Sequence, residues 1–165
     1  MSEQIGNVWV FIEQEAGKIA GVSLQLVSKG RELADRLGVK LEGILLGDNV
    51  AACANELYQY GCDKVILAED PRLEPFTVLP YAKVIMDLIR ERKPNILLFG
   101  ATLKGRELAP RVASEKLAGL TADCTNLEID DFATEPCLGR HTACRHPERL
   151  WWTYGSTTME TFRRL

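Results

Sequence analysis

Short apolar runs alternate along this chain with stretches in which apolar residues recur every third or fourth position. Val8-Trp9-Val10-Phe11-Ile12 is the first run; residues 41–46, 64–68 and 96–99 follow, and 125–129 reads as a fifth. Val65-Ile66-Leu67 and Ile96-Leu97-Leu98-Phe99 are apolar without alternation, as strands covered on both faces of a parallel sheet are. Between the runs the period is helical. Leu26, Val27, Gly30, Leu33, Ala34 and Leu37 share one face after Ser23, an N-cap candidate, and Gly38 is a natural stop. Asp48 is placed to cap a second helix that buries Val50, Cys53, Ala54 and Leu57 and closes at Gly61. A third follows Thr77, with Leu79, Ala82, Met86 and Ile89 on one face and Arg90-Glu91-Arg92-Lys93 at its end, where cations suit the partly negative carbonyls. A fourth is expected over about 105–117, with Pro110 bending it or delaying its start. Strand and helix alternate four times, so the expected fold is a doubly wound α/β domain, its mostly parallel sheet sandwiched by helices. The loop 70–76 lies at a strand's carboxyl end, where such folds usually take ligands.

Length adds that 165 residues make one domain with a sizeable core. No apolar run approaches the roughly 18 residues of a membrane span. The amino-terminal stretch carries acids where an export signal needs cations, and the five cysteines are irregularly spaced, which suits reduced thiols; the expectation is a cytoplasmic protein. A net charge of −3 gives no field for gathering phosphates along a duplex, so nucleic acid is not an expected partner. The charge is uneven: residues 132–165 hold five Arg against three acids, leaving fifteen basic and twenty acidic groups in residues 1–131.

A dinucleotide fingerprint would place G-x-G-x-x-G after the first strand, but Glu13-Gln14-Glu15-Ala16-Gly17-Lys18 stands there, with two carboxylates that would repel a pyrophosphate. The segment Gly100-Ala101-Thr102-Leu103-Lys104-Gly105-Arg106 opens a helix with glycines and cations but lacks the Walker Gly-Lys-Ser/Thr. Gly100, Thr102, Gly105 and Arg106 are anion-site candidates, weighed against a plain tight turn with solvated cations. Cys124 has no His within residues 1–131 to activate it and reads as a packing or interface residue. Cys137, His141, Cys144 and His146 look like a metal cluster at first sight, but Cys144 and His146 are too close together for easy tetrahedral ligation, and no metal is expected.

Gly100-Ala101-Thr102-Leu103-Lys104-Gly105-Arg106-Glu107-Leu108-Ala109-Pro110-Arg111, followed by Gly119-Leu120-Thr121-Ala122-Asp123-Cys124-Thr125, closely resembles the amino-terminal domain of electron-transfer flavoprotein alpha subunits. The opening Val8-Trp9-Val10-Phe11-Ile12-Glu13 is similar too, and the resemblance runs to about residue 130. It implies an electron carrier rather than a catalyst of bond chemistry. In that family an alpha subunit pairs with a beta subunit, accepts electrons from flavin-dependent dehydrogenases and passes them to a quinone reductase or other acceptor. FAD rests mainly on a second, carboxyl-terminal domain, which this chain does not reach, so the resemblance carries no flavin ligand onto these residues. It implies that Gly100, Thr102, Gly105, Arg106 and Arg111 shape the carboxyl edge of the sheet, with Arg106 and Arg111 at the subunit contact. The rival from another class is a stand-alone nucleotide-binding module of universal-stress-protein type, using the 100–106 turn for phosphate.

After residue 130 the sequence departs from that family, which would lead through Arg-Pro-Ala to an aromatic residue and Gly-Gly-Asn. Trp151-Trp152-Thr153 must be encoded TGGTGGAC, which in another frame reads as a codon ending in T and then Gly-Gly. The expected organisation is therefore a family domain over 1–131 and a divergent or frameshifted tail over 132–165. A frameshifted tail would be poorly ordered; a native one would offer Trp151, Trp152 and Tyr154 as an anchor for a partner.

Overall fold

The computed structural model describes residues 6–116, 119–121, 127–130, 142–144 and 151–155. In chain order these form β1 (Val8–Ile12), a small hairpin of β2 (Gln14–Glu15) and β3 (Lys18–Ile19), α1 (Gly21–Leu37), β4 (Leu41–Gly47), α2 (Ala54–Gln59), β5 (Lys64–Glu69) and α3 (Val78–Arg92). Then come β6 (Ile96–Gly100), α4 (Leu103–Lys116), β7 (Gly119–Thr121), β8 (Glu128–Asp130), β9 (Thr142–Cys144) and β10 (Trp151–Gly155). The main sheet has the order β5-β4-β1-β6-β10-β7, and every pairing in it is parallel. The fold is the expected α/β architecture.

The pleat of β1 divides the core. Val8, Val10 and Ile12 face a cluster built with Leu26, Val27, Leu33 and Ala34 of α1 and Leu57 of α2. Trp9 and Phe11 face the other, built with Ala82, Ile85 and Ile89 of α3 and Leu108, Ala109 and Val112 of α4. Helices thus cover both faces, which is why β1, β4 and β6 are buried at every position. Glu42 is the charged exception on β4; its carboxylate accepts from Trp9 Nε1 at 2.7 Å and Asn7 Nδ2 at 3.0 Å.

Helix ends differ from the sequence reading in instructive ways. Gly38 does end α1, in the left-handed conformation, its N–H on the carbonyls of Ala34 and Asp35. Ser23 does not cap α1. The helix begins at Gly21, and the Ser23 hydroxyl instead accepts from the Glu13 N–H at 2.8 Å, so a residue that looked like local punctuation ties α1 to the end of β1. Asp48 does not cap the second helix either. The amides of Val50 and Ala51 point at Glu69 Oε1, 2.7 and 3.0 Å away, so the carboxylate comes from the end of β5. Thr77 holds the cap position of α3 with extended backbone but makes no side-chain cap bond. Pro110 does not delay α4, which starts at Leu103 and runs through it, with the proline on the exposed face.

Of the expected fifth strand over 125–129, residues 125 and 126 lie outside the described residues, and 128–129 do belong to a strand, though not one of the main sheet. Gly119–Thr121 forms β7 at the far edge of the main sheet, and Glu128–Asp130 pairs in parallel with Thr142–Cys144 in a separate ladder. Trp151–Gly155 of the expected tail forms a strand between β6 and β7, with Trp151 opposite Ile96 and Gly155 opposite Gly100. Among the described residues no helix is long and apolar enough to cross a membrane.

Candidate functional site

β1 pairs with β4 on one side and β6 on the other, so the chain's progress through the sheet reverses between β1 and β6. In open α/β sheets the crevice at the carboxyl ends of two such strands is the usual ligand position. Here Glu13 leaves β1 and Gly100 closes β6, with the first turn of α4 directly behind.

Glu13 fills the crevice. The residue is 6% exposed, and its two carboxylate oxygens lie 2.7 and 2.8 Å from Thr102 Oγ1, which donates its one hydrogen to them. The same hydroxyl accepts from the Gly105 N–H at 3.0 Å, the bond of an N-cap. Thr102 therefore joins an internal carboxylate to the positive end of a helix. Burial pushes the Glu13 carboxyl above its ordinary value, and the Thr102 bond and the Lys104 charge only partly offset that. Lys104 donates to the Gln14 carbonyl at 3.3 Å and lies 5.6 Å from the centre of the Phe76 ring. Gln14 closes over the neighbouring strand, its amide reaching the Leu46 carbonyl at 3.5 Å.

The two glycines of the motif make this arrangement possible by their lack of a side chain. A Cβ on Gly100 would stand 2.7 Å from Glu13 Oε1, and one on Gly105 would collide with the Gly100 carbonyl oxygen. Gly100, Thr102 and Gly105 thus come together around a carboxylate the chain itself supplies. Arg106 and Arg111 stand elsewhere. Both are on the exposed face of α4, where Leu103 is 83% exposed. In the sequence Glu13 stands out only as a charge directly after an unbroken apolar strand, and nothing local marks it as the centre of the cluster.

Among the described residues no group of His, Cys, Asp and Glu is arranged to hold a metal. The cluster of Cys137, His141, Cys144 and His146 lies outside the described residues apart from the backbone at 144, and Cys124 lies outside them altogether. The described thiols, Cys53 and Cys62, are free and buried, and burial pushes Cys62 up to about 12, far from a reactive thiolate.

Comparison with known proteins assigns the lineage. Residues 8–145 match the electron transfer flavoprotein domain, and the chain belongs to that family. It is 49% identical over 138 residues to the electron transfer flavoprotein subunit alpha of Clostridium acetobutylicum, covering 81% of this chain and 41% of that protein. It is 51% identical over 124 residues to the acryloyl-CoA reductase electron transfer subunit beta of Anaerotignum propionicum, covering 75% and 34%. Protein FixB of Rhizobium meliloti is 43% identical over 146 residues, covering 84% and 41%. The chain therefore spans about two fifths or less of the length of these relatives.

Proposed function

We propose that this chain is the amino-terminal α/β part of an electron-transfer flavoprotein subunit of alpha type, serving as scaffold and docking platform in an electron carrier rather than catalysing bond chemistry. The family match over residues 8–145, with 49% identity to a subunit named alpha, carries the reading. In it the full-length carrier takes electrons from flavin-dependent dehydrogenases, delivers them to a quinone reductase or another acceptor, and works in the cytoplasm.

FAD belongs to the whole carrier, and the described residues do not fit it as a self-sufficient site. The crevice between β1 and β6 is closed by the Glu13 carboxylate, which would oppose a phosphate at the start of α4. The same charge speaks against Gly100, Thr102, Gly105 and Arg106 as an anion site and against the stand-alone nucleotide-binding module. The partner is the complementary subunit, termed beta where this domain is termed alpha. A relative of this chain itself bears the letter beta, so the letter follows each system's naming. Residues 132–165 stand in this reading as a divergent or frameshifted tail on the domain 1–131, although the family match extends to residue 145. The coding DNA across codon 132 separates the two origins.

The test is calorimetry on the purified chain with FAD, ATP and AMP, beside capture of a purified electron-transfer flavoprotein beta subunit. Capture in equimolar amount without micromolar nucleotide affinity is expected. A yellow chain holding equimolar flavin, or micromolar ATP or AMP binding, overturns the reading.

A further inference from the structure

β5 is the outermost strand at one end of the main sheet, and among the described residues its one ladder is with β4. The Asp70 N–H donates to the Gly47 carbonyl at 3.0 Å, in step with the β4–β5 register. Backbone groups alternate along a strand, so Lys64, Ile66 and Ala68 turn theirs toward β4, while Val65, Leu67 and Glu69 turn theirs outward. Leu67 is also 40% exposed on a strand whose neighbour Ile66 is buried. An apolar strand with a free row of donors and acceptors is a template for another strand.

We propose that this edge pairs antiparallel with β5 of a second copy of the chain, about a two-fold axis normal to the sheet. Such an axis keeps each face of the sheet on its own side, so residues directly opposite must share the same parity. Two central registers satisfy that condition. With Ile66 opposite itself, Asp63 meets Glu69 of the second copy, and like charges oppose at both ends. With Leu67 opposite itself, Lys64 meets Asp70 at both ends, Ile66 meets Ala68, and the outward backbone groups of Val65, Leu67 and Glu69 meet those of Glu69, Leu67 and Val65. Charge selects the second register. Glu69 does not spoil it, because its Oε1 is turned back onto the amides of Val50 and Ala51. Asp70 is held in place by Arg72 at 2.7 Å and has its carboxylate at the strand's end to receive Lys64 of the second copy. The two Leu67 side chains, exposed in the single chain, cover one another on the axis. This contact is independent of the proposed redox role.

Sedimentation velocity and amide hydrogen exchange on the whole chain test the pairing. The expected result is mass doubling with concentration in the micromolar range, with exchange at Val65, Leu67 and Glu69 slowing in step. Lys64→Glu and Asp70→Lys should each weaken self-association tenfold or more, and an equimolar mixture of the two should recover it, because the exchanged charges face each other again. Leu67→Lys, at an exposed position that leaves the single chain's fold intact, should abolish it even if Asp70→Lys disturbs its own turn. A chain that stays monomeric into the millimolar range overturns the proposal. So does association that leaves those three amides unprotected, or that survives both Lys64→Glu and Leu67→Lys. Protection already present in the dilute monomer, or appearing only with the beta subunit, assigns the edge to another occupant and overturns it as well.

Discussion

At Glu13 the cost of burying a carboxylate exceeds what the Thr102 hydroxyl and the Lys104 charge return, so its proton is held more tightly in the folded chain than in the unfolded one. The sign of the pH effect follows. The contribution of this group to stability is complete below the unfolded value of 4.5 and is lost as pH rises through the higher folded value. Glu13→Gln, which keeps an acceptor for Thr102 without the charge, should therefore unfold at higher urea than the parent at pH 7, with the difference shrinking toward pH 4. A difference that widens on acidification would contradict the assignment. Thr102 does two things with one oxygen, so Thr102→Val removes both the cap of α4 and the donor to Glu13. A loss of about 1–3 kcal/mol is expected in equilibrium unfolding. Thr102→Ser should recover most of it, because only the hydroxyl is at issue.

Elements in this molecule are fixed to one another by side chains that look local in the sequence. Ser23 of α1 holds the Glu13 amide, and Glu69 of β5 holds the turn before α2. Arg31 of α1 reaches Asp63 at 2.7 Å, and Asp63 in turn accepts from the Leu41 amide at 2.8 Å. One helix is thereby pinned to the start of two strands. β6 and α4 meet closely, the first helical turn at Gly105 lying against the last carbonyl of the strand. Gly105→Ala should cost more than the ~1 kcal/mol that alanine normally gains over glycine in a helix, and with the opposite sign. A thermal midpoint lowered by several degrees, with the far-ultraviolet helical signal retained, is the expected outcome. A neutral or stabilising effect would mean that α4 can stand off from the strand without loss.

For the whole molecule, the proposed platform role makes a demand on surface charge rather than on the core. Arg106 and Arg111 lie on the exposed face of α4, so Arg106→Glu with Arg111→Glu should leave the thermal midpoint within a degree or two while weakening beta-subunit capture about tenfold or more. Unchanged capture would remove both residues from the contact. The sheet order also explains why that face is available. α3 and α4 pack together on one face of the sheet and bury their inner sides against Trp9, Phe11, Leu97 and Phe99, leaving their outer sides to solvent.

Among the described residues, apolar runs and helical periods alone determined four of the six strands of the main sheet and the place of the four α-helices, because a strand buried on both faces and a helix buried on one leave different periods in any sequence. The stop at Gly38 was equally local, since only the chain's own geometry is involved. What tertiary structure decided was which distant group each polar residue met. Glu13 and Thr102 are 89 positions apart and touch only because β1 and β6 are neighbours in the sheet. The same holds for Glu69 at the turn of residues 50–51, for Ser23 at the end of β1, and for β10 between β6 and β7. A hydrogen bond is satisfied by proximity in space, and proximity between such residues exists only after the sheet has formed.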